Sequence, residues 1–139
     1  MPQPETSKQG VRRWDAATGE RRRAPFPDGP TVRVVVGPDE GASAGVLEVT
    51  MPVGGAMPEH DHGGSAVVLA PLAGRFRLIE ADSGEENVLE AGAVATIPVG
   101  ARVRLENAGS VEARTLVVLT PPDFAARIDT WPTDAPTPR

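Results

Sequence analysis

Glycine and proline punctuate this chain throughout, fifteen of each in 139 residues. A helix interior tolerates neither. Proline removes a backbone donor and clashes with the preceding turn, and glycine costs about 1 kcal/mol relative to alanine. Short strands joined by turns accommodate both, and the apolar pattern agrees. Residues 31–37 (TVRVVVG) and 44–52 (AGVLEVTMP) read as strands, and 56–62 (AMPEHDH) as an extended stretch. Residues 65–74 (SAVVLAPLAG) are nearly all apolar, which suits a strand buried on both faces or one facing a lined cavity. In 75–81 (RFRLIEA), Phe76 and Leu78 alternate with Arg75 and Arg77. A turn at 82–87, three short strands within 88–110 and a last strand at 112–122 complete the series. About eight short strands at regular spacing predict an all-β sandwich or barrel.

The length suits one domain, divided here into an N-terminal arm (1–30), a β-barrel (31–125) and a C-terminal tail (126–139). The arm is polar, charged and irregular, with Trp14 as its large apolar anchor on the body. Residues 123–131 (DFAARIDTW) read as one or two helical turns, with Asp123 as N-cap and Trp131 as a packing anchor. The Pro-rich end is expected to be disordered. No internal repeat is evident.

Composition excludes several functions. The chain has no cysteine, so disulfides and thiolate metal sites are absent, which fits a reducing cytoplasm. The N-terminus lacks the apolar segment of a signal peptide, and no apolar run reaches membrane-spanning length. A cytoplasmic protein with no membrane partner is expected. Net charge is −5, unevenly spread: residues 34–139 carry seven basic against fifteen acidic side chains. An acidic body argues against nucleic acid as partner. The run Arg21-Arg22-Arg23 reads as a solvated surface stretch, and Arg102 and Arg104 as solvent-facing strand residues.

The two histidines, His60 and His62, flank Asp61. One residue apart on a strand, they point to the same face, with Cα atoms roughly 6.5 Å apart, so both imidazoles can reach one point. Glu59 and Asp61 alternate with them and are expected to point outward.

Around these histidines lies a spacing that resembles the paired motifs of the cupin superfamily. The first cupin motif runs Gly, five residues, His-x-His, three or four residues, Glu, six residues, Gly. Gly54, His60, His62 and Gly74 match it, while the glutamate position falls on Val67 counted back from Gly74, or on Ala66 by the shorter spacing. The second runs Gly, five residues, Pro-x-Gly, two residues, His, three residues, Asn. Gly92, Pro98, Gly100 and Asn107 match, and the histidine position is Val103. The ending 120–124 (TPPDF) also resembles the close of many single-domain cupins. The resemblance covers roughly residues 44–125 and implies a double-stranded β-helix, a jelly-roll barrel. Gly92 and Gly100 suit tight turns with positive φ, and Pro98 sets a turn.

Typical metal-binding cupins hold Fe, Mn, Ni or Zn with three histidines and one glutamate, and by this resemblance half of that set is replaced by valine. The expectation is therefore no cofactor. The alternative is a divalent metal (Zn, Ni, Fe or Mn) held by His60 and His62 with water. Ser65 is a poor substitute ligand, and Glu48 is one only if its register turns it inward. Only a β-bulge would turn a flanking carboxylate into the cup. Val67, Leu69, Val103 and Leu105 are the expected ligand-binding lining of a mostly apolar pocket. His60 and His62 are the candidate catalytic pair, acting as acid and base.

The expected function is a metal-independent isomerase, lyase or cyclase acting on a small organic molecule. The alternatives are a non-catalytic ligand-binding or sensing module and a weakly metal-binding oxygenase. Many cupins are homodimers, and the long arm is consistent with strand pairing between copies, so a homodimer is expected.

Overall fold

The protein is described here by a computed structural model covering residues 10–15 and 19–133. Ten strands occur among the described residues: β1 (Arg21–Arg23), β2 (Thr31–Val36), β3 (Gly45–Met51), β4 (Ala56–His60), β5 (Ala66–Ala73), β6 (Arg75–Glu80), β7 (Glu86–Glu90), β8 (Ala95–Ile97), β9 (Val103–Asn107) and β10 (Ala113–Thr120). They form two antiparallel sheets. One has six strands in the order β1-β2-β3-β10-β5-β8, the other four in the order β4-β9-β6-β7. No described helix is long and apolar enough to cross a membrane.

Alternation builds the barrel. On β3, Leu47, Val49 and Met51 are buried, while Glu48 and Thr50 between them are not. β9 turns Val103 and Leu105 inward and Arg104 outward, and β6 buries Phe76 and Leu78. One cluster joins Leu47, Val49, Met51, Val67, Leu69, Val117 and Leu119 of the six-stranded sheet with Phe76, Leu78, Val103 and Leu105 of the four-stranded one. The outward set forms ion pairs, across strands from Arg77 to Glu106 and Glu86 and from Arg75 to Glu90, and along β9 from Arg104 to Glu106. Glu48 belongs to that outer set and pairs with Arg33 and Arg114, so it is no part of the cup.

The framework residues do what their spacing predicts. Gly92 and Gly100 take φ of 99° and 84°, the left-handed region glycine enters without penalty. Gly74 is doubly constrained: its φ is 76°, and a Cβ there would stand 2.7 Å from Ala113 Cα. Asn107 closes β9 at the barrel end remote from the histidines. Its amide nitrogen donates toward Met51 O and Pro52 O, each at 3.1 Å, and Val111 O at 2.9 Å. Its Oδ1 accepts the Gly109 N–H at 2.8 Å. One buried side chain thus ties the exit of β3 to the β9–β10 connection.

Described parts of the expected arm and tail are built into the fold. β1 lies inside the expected arm and pairs with β2, and its other edge bridges Thr133 through Arg22. Trp14 Nε1 donates to Glu40 Oε1 at 3.4 Å, beneath the Arg12 guanidinium. A 3-10 segment, Pro122–Thr130, crosses the expected 125/126 boundary. It begins at Pro121 without a side-chain cap, so Asp123 is not its N-cap. Ala125 and Ile128 are buried in the core, and Trp131 packs against it. The remainder of the expected tail, 134–139, lies outside the described residues.

Replacing Asn107 with alanine orphans three carbonyls and one N–H, at about 1–3 kcal/mol for each group left buried and unpaired, with some rehydrated. Urea unfolding of Asn107→Ala is expected to show a loss of about 2–4 kcal/mol with the m-value unchanged. A loss below about 1 kcal/mol would mean that water replaces the amide.

Candidate functional site

The site begins with an irregularity in an edge strand. β4 pairs with β9 as Met57↔Leu105 and then His60↔Val103, so three residues on one strand match two on the other. The extra residue lies at Pro58–Glu59, a β-bulge. Proline suits this place, because it has no N–H to offer the ladder and strands admit it at edges and bulges. The bulge changes which side chains face the cavity. In unbroken alternation from Met57, Glu59 would face inward opposite Val103. With the extra residue, His60 faces inward and Glu59 outward. The imidazole then secures the bulge, its Nδ1–H donating to the Pro58 carbonyl at 2.7 Å.

The loop after β4 aims the second ring. Asp61 Oδ1 accepts the Gly63 N–H at 2.9 Å, and Gly63 takes φ of 60°. Ser65 N–H donates back to His62 O, and Ser65 Oγ–H donates to Pro121 O at 2.6 Å, tying the loop to the C-terminal segment. His62 is 8% exposed. The His60 and His62 Nε2 atoms stand 3.2 Å apart. Since His60 Nδ1 carries its ring's proton, the neutral pair shares one hydrogen bond, His62 Nε2–H to His60 Nε2.

Glu59 and Asp61 both turn away to Arg102, at 2.6 and 3.4 Å. The Gly63 N–H holds the Asp61 carboxyl below the usual range. No carboxylate therefore touches the rings, and burial governs them. It lowers His60, against the opposing pull of the Pro58 carbonyl. It lowers His62 further, to about 4, with His60 adding to the fall. Both rings are neutral at neutral pH.

Beyond the rings lies a cavity of about 50 Å3, space for a few water-sized groups. All four expected lining residues (Val67, Leu69, Val103 and Leu105) face it, as do His60 and His62. Val67 rather than Ala66 holds the inward position: Val67 is 2% exposed and Ala66 faces solvent. The sequence reading missed the mouth. Phe124, Ile128 and Trp131 of the C-terminal segment line the cavity too, and Phe124 packs edge-on to His62 at 5.1 Å between ring centroids. Their spacing, i, i+4 and i+7, is one face of a helix-like turn, a signal present in the sequence. Outside them lies a vestibule of about 230 Å3, which shares Met57, His60, Phe124, Ile128 and Trp131 with the cavity.

The donor set does not fit the four-ligand metal of typical cupins. Two neutral imidazoles converge, but valine occupies the other two positions, and the described residues contain no group of three or more His, Cys, Asp or Glu that could hold an ion.

The Cupin domain family model matches residues 47–119, more than half of the chain, and the chain belongs to the cupin family. No curated protein matches it. Among solved structures, it resembles the polyketide cyclase RemF from Streptomyces resistomycificus, with 21% identity, a TM-score of 0.67 and 80% of each chain covered. It also resembles a predicted oxalate decarboxylase from Thermotoga maritima, with 19% identity, a TM-score of 0.64, and 78% of this chain and 98% of that one covered. An RmlC-like cupin from Methanocaldococcus jannaschii matches at 19% identity and a TM-score of 0.58, over 79% of this chain and 94% of that one. At these identities the likeness is one of fold.

Two predictions follow from burial. Both rings ionise at lower pH in the folded state than in the unfolded chain, so the unfolded chain binds more protons between the two values. Stability is then complete above about pH 6.5 and falls as pH drops toward 4, by roughly 3 kcal/mol at most for His62. Unfolding curves at a series of pH values should show this decline starting above about pH 5, before carboxylates contribute. In a His60→Leu/His62→Leu variant it should be flat there. Separately, Val67→Glu/Val103→His should bind Zn or Ni at about one per chain and far more tightly than wild type, read by calorimetry. No gain in affinity would show that these positions do not converge on the imidazoles.

Proposed function

We propose that this cupin acts on a small, partly apolar organic molecule, using His60 and His62 as an acid–base pair in an isomerase, lyase or cyclase type of reaction that needs no metal. The carrying observation is the 3.2 Å contact between two neutral rings at the neck of an apolar cavity. There one Nε2 offers a lone pair and the other a proton at nearly the same point. A ligand C–H or O–H reaching His60 Nε2 can lose its proton there, and the His60 imidazolium so formed returns it to a neighbouring atom of the ligand, with His62 Nε2–H donating a hydrogen bond to the charge that develops between the two transfers. His60 is the better base, because the Pro58 carbonyl offsets part of its desolvation. A base of lowered pKa is matched to an acidified proton, such as one beside a carbonyl group. The apolar walls exclude water from the exchange.

A second reading has one observation in its favour. Two ligands 2.0–2.1 Å from a single ion and separated by about 100° have nitrogens roughly 3.2 Å apart. A ligating imidazole also commonly donates its other N–H to a carbonyl, as His60 does. The valines at positions 67 and 103 weigh against it.

The two readings place the His62 proton differently. Long-range 15N–1H spectra of the imidazoles at neutral pH, with metal content by plasma mass spectrometry, separate them. The acid–base reading expects little metal, His60 protonated on Nδ1 and His62 on Nε2. About one metal per chain, lost in His60→Ala, with both rings protonated on Nδ1, would overturn it. Catalysis is then tested by solvent deuterium uptake at the acidic C–H of small carbonyl compounds. His60→Ala should slow it by roughly 10²–10⁴. Ligand binding with no exchange in wild type would mark a binding module instead.

A further inference from the structure

We infer that Arg127 is an anion handle at the barrel mouth, and that the ligand is an organic anion: a carboxylate or like head at Arg127, with an apolar body reaching the histidines. The inference rests on the reading of the histidine-lined cavity as the ligand site, and adds the class of molecule that enters it.

Four planar groups form a column from rim to neck. The Arg127 guanidinium lies over the Phe124 ring, 4.9 Å from its centroid. Phe124 meets His62 edge-on at 5.1 Å, and His62 meets His60 at 4.7 Å. Arg127 also reaches across to the loop that aims His62: a Cβ on Gly63 would stand 3.7 Å from its Nη2. The guanidinium therefore stands, exposed to solvent, over the entrance.

The charges of the vestibule are otherwise settled. Its two carboxylates, Glu59 and Asp61, are both engaged by Arg102. Arg127 is the one Lys or Arg among the residues that line the vestibule, and no carboxylate among the described residues lies within ion-pair distance of it. Stacking on an aromatic face leaves the guanidinium edge, with its forked N–H donors, open to an incoming group, and that fork matches a carboxylate.

Size and polarity define the rest of the ligand. The inner cavity is too small for more than a few atoms, while the vestibule is several times larger. Apart from His60, the residues common to both are apolar or aromatic: Met57, Phe124, Ile128 and Trp131. Trp131 is braced edge-to-face by Phe26 at 6.4 Å. A flat apolar body suits the vestibule, with its anionic head at the rim and one end at the imidazoles.

Calorimetry on the full chain with 2-naphthoate and its neutral isostere 2-naphthamide tests this. Wild type should bind the anion at least about fivefold more tightly than the amide, the magnitude of a partly exposed charge-assisted contact. Salt near 0.5 M should weaken only the anion. Arg127→Gln should bind the two within about twofold of each other with amide affinity unchanged, and Arg127→Lys should keep part of the preference. Equal affinities in wild type, no naphthoate binding at millimolar concentration, or a preference that survives Arg127→Gln would each overturn the inference. The ratio should persist in His60→Ala. Failure of the acid–base reading therefore leaves the ratio intact, and failure of the handle leaves proton exchange intact.

Discussion

The site depends on one hydrogen bond, from His60 Nδ1–H to the Pro58 carbonyl. A bulge leaves a backbone group without a ladder partner and places two residues where the opposite strand has one. Here the freed carbonyl is satisfied by the side chain that the bulge turns inward. Backbone and imidazole therefore hold each other in place: the bulge selects His60 over Glu59 for the cavity, and the ring's proton, fixed on Nδ1, leaves Nε2 bare toward His62. With Glu59 facing in, the cavity would hold a carboxylate and one fewer imidazole. With His60 facing in, Glu59 and Asp61 are left for Arg102, and neither carboxylate touches the rings.

That separation sets the electrostatics. A histidine beside a carboxylate is usually raised, whereas these rings are lowered, because burial outweighs the opposing pull of Asp61. Phe124, Ile128 and Trp131 complete the enclosure, so the C-terminal segment belongs to the chemistry of the site. Ser65 couples the two: its side chain donates to Pro121 at the start of that segment while its backbone closes the turn after His62. The segment cannot lift from the mouth without breaking a hydrogen bond to the histidine loop.

Much of the barrel was legible in the sequence, for reasons that are physical rather than statistical. Alternation on 75–81 and the glycines at 74, 92 and 100 report directly on pleat and left-handed turns, and these need no knowledge of distant residues. The inward positions Val67 and Val103 followed from the spacing of the cupin motifs, with Leu69 and Leu105 taken beside them. The bulge was less legible, since the pattern of 56–62 fits either register, and Pro58 was its only local mark. The fate of Glu48 was hidden for a similar reason: it depends on Arg33 and Arg114, from two other strands. The mouth was missed because residues 123–131 read only as one or two helical turns with Trp131 as a packing anchor, and nothing local sets Phe124, Ile128 and Trp131 over the cavity. Only contact with the barrel shows that they form its cover.

The pattern of matches and mismatches to the cupin motifs has its own logic. The glycines and Asn107 act at turns and at the barrel end remote from the rings, through backbone conformation and capped carbonyls. Positions 67 and 103 act at mid-barrel, through what they project inward. Changing the second set leaves the first undisturbed, because a valine in a pleated strand satisfies the same backbone as a glutamate or histidine and packs better in an apolar core. Loss of two ligand positions therefore need not weaken the barrel. It removes the charge and polarity around the two imidazoles, and the proposed reading of them as a pair that shares a proton rather than an ion rests on that change.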